Sequence, residues 1–183
     1  EIGSGLVGSE MCIRDSFRKE YRALIAGGPD ETLPAGGVLR DYLFKDSRRG
    51  RVFPVSRPRK GVREAVLEYR ITATNGALSL ADITLHTGRT HQIRVHMKHI
   101  GHTLFNDERY GGNEILKGTH FSKYKQFVNN CFETCPRQAL HAMTLGFVHP
   151  RTGEEMFFTS PLPEDMTNLI DKWRNYISNR EEL

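Results

Sequence analysis

Apolar and polar residues alternate at the start of the interpretable chain. Tyr21, Ala23 and Ile25 interleave with Arg22, Leu24 and Ala26 before Gly27-Gly28-Pro29-Asp30 breaks the run. This reads as a strand followed by a loop. Leu33 to Arg63, rich in Pro, Gly and Arg, predicts loops with short strands. Val62 to Thr74 and Ala77 to His86 are rich in β-branched and apolar residues around Asn75-Gly76, a hairpin signal because both residues tolerate positive φ. Spacing then turns helical over Thr90 to Ile100. Ile93, Met97 and Ile100 share a face, Thr90 serves as N-cap and Gly101 as the stop. Phe121 to Phe132 predicts a second short helix. Leu140 to Val148 and Glu155 to Thr159 flank a turn at His149 to Gly153. Pro163 to Ser178 predicts a closing helix anchored by Trp173, with Met166, Leu169 and Ile170 on its apolar side. Phe147, Phe157 and Phe158 read as core strand residues. Hairpins interleaved with helices give an α+β fold: a mostly antiparallel sheet with flanking helices.

The opening Glu1 to Ser16 has no such pattern and holds three glycines in its first eight residues. It resembles translated adapter sequence. Residues 1–16 are therefore expected to be a disordered artefact, with 17–183 forming one domain.

Charge sharpens the picture. The net charge is +4, but residues 17–112 hold 17 Lys/Arg against 10 Asp/Glu, and residues 113–183 hold 8 against 9. A basic middle fits a polyanion partner or a well-solvated surface. No apolar run approaches the ~20 residues of a transmembrane helix, and the first sixteen residues lack a signal-peptide core. Three cysteines (Cys12, Cys131, Cys135) do not suggest a disulfide framework. A cytoplasmic protein is expected.

Candidate chemistry concentrates at Thr87 to His96. A strand ends, Gly88 permits a tight turn and a helix begins, leaving unpaired N–H groups that suit phosphate. Arg89 precedes that turn, and His91, Arg94 and Lys98 share a helical face. The same pattern would serve a solvated helix face. The cluster Arg48, Arg49, Arg51, Arg57, Arg59, Lys60 and Arg63 can meet RNA phosphates or simply form a charged loop. Five histidines fall between His86 and His102, but His96, His99 and His102 fan around the helix and cations interleave them. No metal site is expected.

The string LHTGRTHQIRVH (Leu85 to His96) resembles a hallmark of the RluA-type RNA pseudouridine synthases. Asp107-Glu108-Arg109-Tyr110-Gly111-Gly112, Phe17 to Leu24, and Gly61 to Tyr69 resemble further family blocks. So do Arg137 to Ala142, Phe147 to Glu154 and Ser160 to Met166. In order, these blocks cover Phe17 to about Arg174. The insert Asn113 to Pro136 is similar to that of the large-subunit ribosomal RNA branch.

The resemblance implies part of a pseudouridine synthase catalytic domain, acting as a monomer on RNA, ribosomal rather than transfer, without metal, organic cofactor or membrane. It assigns Tyr21 to the active site, stacking on a flipped uracil. It assigns Arg94 to holding the reacting aspartate ionised and aimed. Arg89, His91, Gln92, Lys98, Arg49 and Arg51 are the expected RNA contacts. The family's Arg-Leu-Asp motif is absent. Asp15 lies only six residues before Tyr21, far too near to replace that aspartate, and Asp82 and Asp107 lie in blocks without a catalytic part. The chain as written is therefore expected to be inactive and the full gene product active. Whether the aspartate attacks the sugar or removes its proton stays open. A basic RNA-binding module without chemistry is the alternative.

Overall fold

A computed structural model describes residues 18–114 and 121–181. The segment 1–16, Phe17 and part of the expected insert lie outside these described residues. The strands are β1 (Arg18–Ala26), β2 (Gly36–Asp46), β3 (Arg51–Val55), β4 (Val62–Thr74), β5 (Leu78–Leu85), β6 (Leu140–Val148) and β7 (Glu155–Thr159). Three helices join them: α1 (Gln92–His99), α2 (Ser122–Thr134) and α3 (Glu164–Glu181). A short 3-10 turn spans Glu108–Tyr110.

All seven strands join one antiparallel sheet in the order β3-β2-β4-β5-β1-β6-β7. Period-two alternation sends residues to opposite faces. In register, Tyr21 sits opposite Ile83, and Ile83 opposite Tyr69. With Ala23, Ile25, Leu67 and Ala81 they meet Ile93 and Met97 of α1 in one core. On the other face Leu24 and Leu78 meet α2 and α3 through Tyr124, Val128, Cys131, Met166, Leu169 and Trp173. A third core joins the β2–β3 hairpin to α1 through Leu43, Val52, Ala65, Val95 and Tyr110. The helix α1 thus bridges two cores, with Ile93 and Met97 on one flank and Val95 on another. Trp173 anchors α3 as expected, its ring 4.8 Å from Phe127 and nearly perpendicular to it.

Several expectations need correction. Leu33 to Arg63 holds more strand than expected: β2 runs eleven residues and pairs with the short β3 from Tyr42↔Val55 to Asp46↔Arg51. Arg40 and Asp46 on one face and Lys45 on the other hid the alternation, because a strand next to the edge tolerates charge where its side chains reach solvent. At the β4–β5 turn only Gly76 takes positive φ, at 82°. Asn75 works through its side chain instead, its Oδ1 accepting from the N–H groups of Ala77 (2.9 Å) and Leu78 (2.7 Å). The cap of α1 is His91, left-handed at φ 54°, rather than Thr90. Phe157 and Phe158 are 59% and 49% exposed, because β7 forms an edge and none of the three buried clusters includes one of its residues. Phe147 stacks on Phe158 with centroids 6.0 Å apart.

Candidate active site and nucleic-acid interface

The turn between β5 and α1 is held by one amide. Oε1 of Gln92 accepts from the Thr87 hydroxyl (2.8 Å) and from the Arg89 N–H (2.9 Å). Nε2 of Gln92 donates to the Val66 carbonyl (3.0 Å). Gln92 is 2% exposed. The expectation that it touches RNA therefore gives way: its hydrogen-bonding groups face inward and lock the loop onto β4. This lock also explains the displaced helix start. Arg89, tied at Nε to the Glu64 carbonyl (2.8 Å), stays at the rim, and His91 turns left-handed so that α1 can begin.

From α1 the Arg94 side chain reaches a built acceptor. Its Nε and Nη2 donate to the two oxygens of Asp107, at 2.7 and 2.6 Å. The Arg94 side chain is 13% exposed and that of Asp107 is 0% exposed. A forked, charge-assisted pair of this kind fixes orientation as well as charge. Asp107's hydrogen bonds raise the Arg94 pKa further above its ordinary value. Asp107 also caps the 3-10 turn, accepting from the Tyr110 N–H (3.2 Å). The Tyr110 ring lies under the Arg94 guanidinium at 5.0 Å. Its hydroxyl accepts from the Val52 N–H (3.2 Å) and pairs with His91 Nδ1 (2.9 Å). Burial, then the nearby Arg94 and Arg109, push the His91 pKa down and favour its neutral ring.

Thus His91 and Arg94 converge as their shared face implies, around Asp107, which the sequence left without a part in the site, and Tyr110, whose place before Gly111-Gly112 suits either the lining of a cleft or packing. The spacing Asp107-x-x-Tyr110 before Gly111-Gly112 was the available signal. Gly111 is left-handed at φ 80°, and a Cβ on Gly112 would strike the Leu104 carbonyl. The two glycines let this loop close beneath Arg94.

Beside the constellation lies a cleft of about 560 Å³, lined by Arg51, Lys98, His99, Arg109 and Tyr110 among others. Two expected RNA contacts, Arg51 and Lys98, share it. Arg109 reaches the Gly50 carbonyl at 3.0 Å, tying the cleft to the hairpin tip. Arg49 is 76% exposed on that tip, 3.7 Å from Asp46. A smaller depression of about 130 Å³ gathers Lys45, Arg63 and Arg89. Tyr21 lies on the sheet face that α1 covers, at the margin of the core holding Ile93. Burial raises its phenol pKa. No hydrogen bond joins Tyr21 to Arg94.

The histidines disperse. His86 faces Glu68 at 3.5 Å, His99 faces Asp41 at 3.3 Å and His102 faces Asp30 at 3.1 Å. Among the described residues no group of three or more His, Cys, Asp or Glu is arranged to hold a metal. Cys131 and Cys135 are free and buried, and burial pushes the Cys131 thiol up to about 12. Among the described residues no helix is long and apolar enough to cross a membrane.

Comparison with known proteins points to one family. Residues 9–99 match the family model for RNA pseudouridylate synthase, a match that opens within the segment set aside as foreign. An uncharacterized RNA pseudouridine synthase of Chlorobaculum parvum is 40% identical over 162 residues, 87% of this chain and 48% of that protein. The ribosomal large subunit pseudouridine synthase D of Vibrio cholerae is 37% identical over 152 residues, 82% of this chain and 43% of its own length. The chain spans about half the length of the curated relatives it matches. Human RNA pseudouridylate synthase domain containing 4 superposes with a TM-score of 0.60 at 20% identity, covering 86% of this chain and 62% of that structure, which shows the shared fold. With these matches and the motif-bearing loop locked above α1, the chain belongs to the RluA-type family of RNA pseudouridine synthases.

Proposed function

We propose that this chain forms the C-terminal part of a synthase catalytic domain that isomerises uridine to pseudouridine in RNA, with ribosomal RNA as substrate. The observation that carries the reading is the Arg94 fork. Asp107 occupies Nε and Nη2, and among the described residues Nη1 has no hydrogen-bond partner. That amine can hold a second carboxylate ionised, as a reacting aspartate requires. Asp107 itself is 0% exposed and out of reach of a ribose. The reacting aspartate is then a second carboxylate, distinct from Asp107.

Each remaining residue then has a physical task. Tyr21 offers an aromatic platform that lowers the cost of taking uracil out of its stack. Arg51 and Lys98 hold backbone phosphates along the cleft, Arg49 on the hairpin tip and Arg89 at the smaller depression add further phosphate contacts, and His91 stands beside Tyr110. The ribosomal preference draws support from the Vibrio cholerae relative, a ribosomal large subunit pseudouridine synthase. The enzyme works as a cytoplasmic monomer without metal or organic cofactor.

The test is direct. The full-length gene product is incubated with pseudouridine-free ribosomal RNA carrying tritium at uracil C5, and the tritium released to water is counted. Release is expected from the full-length protein and none from residues 1–183 alone. A full-length protein that binds RNA in a salt-sensitive way but releases nothing would favour the non-catalytic RNA-binding module.

A further inference from the structure

Arg94 stands on α1, but what fixes its side chain lies on the loop Asn106 to Gly112. Asp107 meets it with both carboxylate oxygens. The loop is in turn built to hold Asp107 still. Asn106 is left-handed at φ 55°, and its amide donates to the carbonyls of Phe132 (3.2 Å) and Cys135 (2.7 Å) at the end of α2. The Gly112 N–H donates to the Asp107 carbonyl at 2.8 Å. Immediately after Asp107, the 3-10 turn grips the β2–β3 hairpin twice: Arg109 at the Gly50 carbonyl and the Tyr110 hydroxyl at the Val52 N–H. One four-residue stretch therefore touches both the guanidinium and the hairpin that presents Arg49 and Arg51.

We propose that Asp107 and Tyr110 are positioning residues for the reaction. Asp107 orients the Arg94 guanidinium so that Nη1 is the amine left for the reacting carboxylate, and Tyr110 couples that orientation to the RNA-holding hairpin. This rests on the synthase reading above. Asp107 touches no substrate in this scheme; it acts through Arg94. The hydroxyl of Tyr110 accepts from Val52, so its own hydrogen is directed at His91 Nδ1. The neutral ring of His91 closes the set. The charged and titratable groups around Arg94 are Asp107, Tyr110 and His91, with Arg109 and Lys45 acting on His91.

Asp107→Asn tests the first part in the full-length gene product. It keeps the side-chain shape but sets an amide N–H against a guanidinium N–H. The turnover number is expected to fall about 100-fold, while the RNA dissociation constant stays within about threefold because the phosphate contacts remain. The acid limb of the turnover–pH profile should move to higher pH, since a carboxylate with a misplaced cation loses part of what keeps it ionised. Tyr110→Phe, which keeps the ring under Arg94, should lower turnover about tenfold for the lost hydroxyl contacts and raise the KM for RNA. If Asp107→Asn does not fold, Tyr110→Phe decides: wild-type turnover there overturns the coupling. A folded Asp107→Asn protein with wild-type turnover and an unmoved acid limb overturns the positioning role alone. An inactive wild-type protein sinks the synthase reading and, with it, this inference.

Discussion

His96 is the most costly side chain of α1. It is 0% exposed, among the described residues neither ring nitrogen has a hydrogen-bond partner, and a carboxylate oxygen of Asp41 is 3.9 Å from its Nδ1. Burial, only partly offset by Asp41, lowers its pKa. A histidine whose folded pKa is depressed contributes stability above its unfolded pKa, roughly 6.5, and loses it as the pH falls through the folded value. Thermal unfolding followed by circular dichroism should therefore show a falling midpoint between about pH 7 and pH 5. His96→Leu removes a buried unsatisfied ring, and should raise stability by about 1 kcal/mol near pH 6 and flatten that slope. An unchanged slope would place the pH sensitivity elsewhere. At the same scale, His91 and Arg94 were legible because they share a helical face. Gln92 was not: periodicity shows which face a residue is on, but not that its amide folds back onto the Val66 carbonyl.

At the scale of elements, α1 is held by tertiary packing more than by its own length, since eight residues are too few for a stable isolated helix. Met97 is 0% exposed and packs beside Ile93 in the sheet core. Met97→Ala should cost about 2–5 kcal/mol in urea unfolding. It should loosen the Thr87–His91 loop as well, because Gln92 of α1 holds that loop in place. A loss below 1 kcal/mol would mean the neighbouring side chains collapse into the gap. The β4–β5 and β6–β7 hairpins and all three helices could be read from alternation, helical spacing and turn residues. The β2–β3 hairpin could not, because Arg and Asp on its solvated side broke the apolar pattern. The exposure of Phe157 and Phe158 was equally hidden, since composition does not reveal that β7 is an edge.

Across the whole molecule, basic residues gather where the sheet presents the β2–β3 hairpin to α1, as the excess of Lys/Arg in residues 17–112 suggested. The excess of basic residues was legible along the chain, and it fitted a polyanion or a solvated surface alike. Only the fold shows that Arg51 and Lys98, nearly fifty residues apart, line one cleft. RNA affinity measured against salt should fall linearly on logarithmic axes, and Arg51→Ala or Lys98→Ala should each reduce the slope by about 0.7–0.9. A slope indifferent to both substitutions would remove the cleft from the RNA path. Catalysis in this scheme turns on Arg94. Arg94→Ala is a poor test, because stripping the partner from buried Asp107 costs about 3–5 kcal/mol of stability by itself. Arg94→Lys keeps the charge but cannot serve two carboxylates as a planar fork. The decisive measurement is single-turnover pseudouridine formation by the full-length Arg94→Lys protein on ribosomal RNA. A rate about 100-fold below wild type with RNA affinity retained is the expected result. Wild-type turnover by that variant would contradict it.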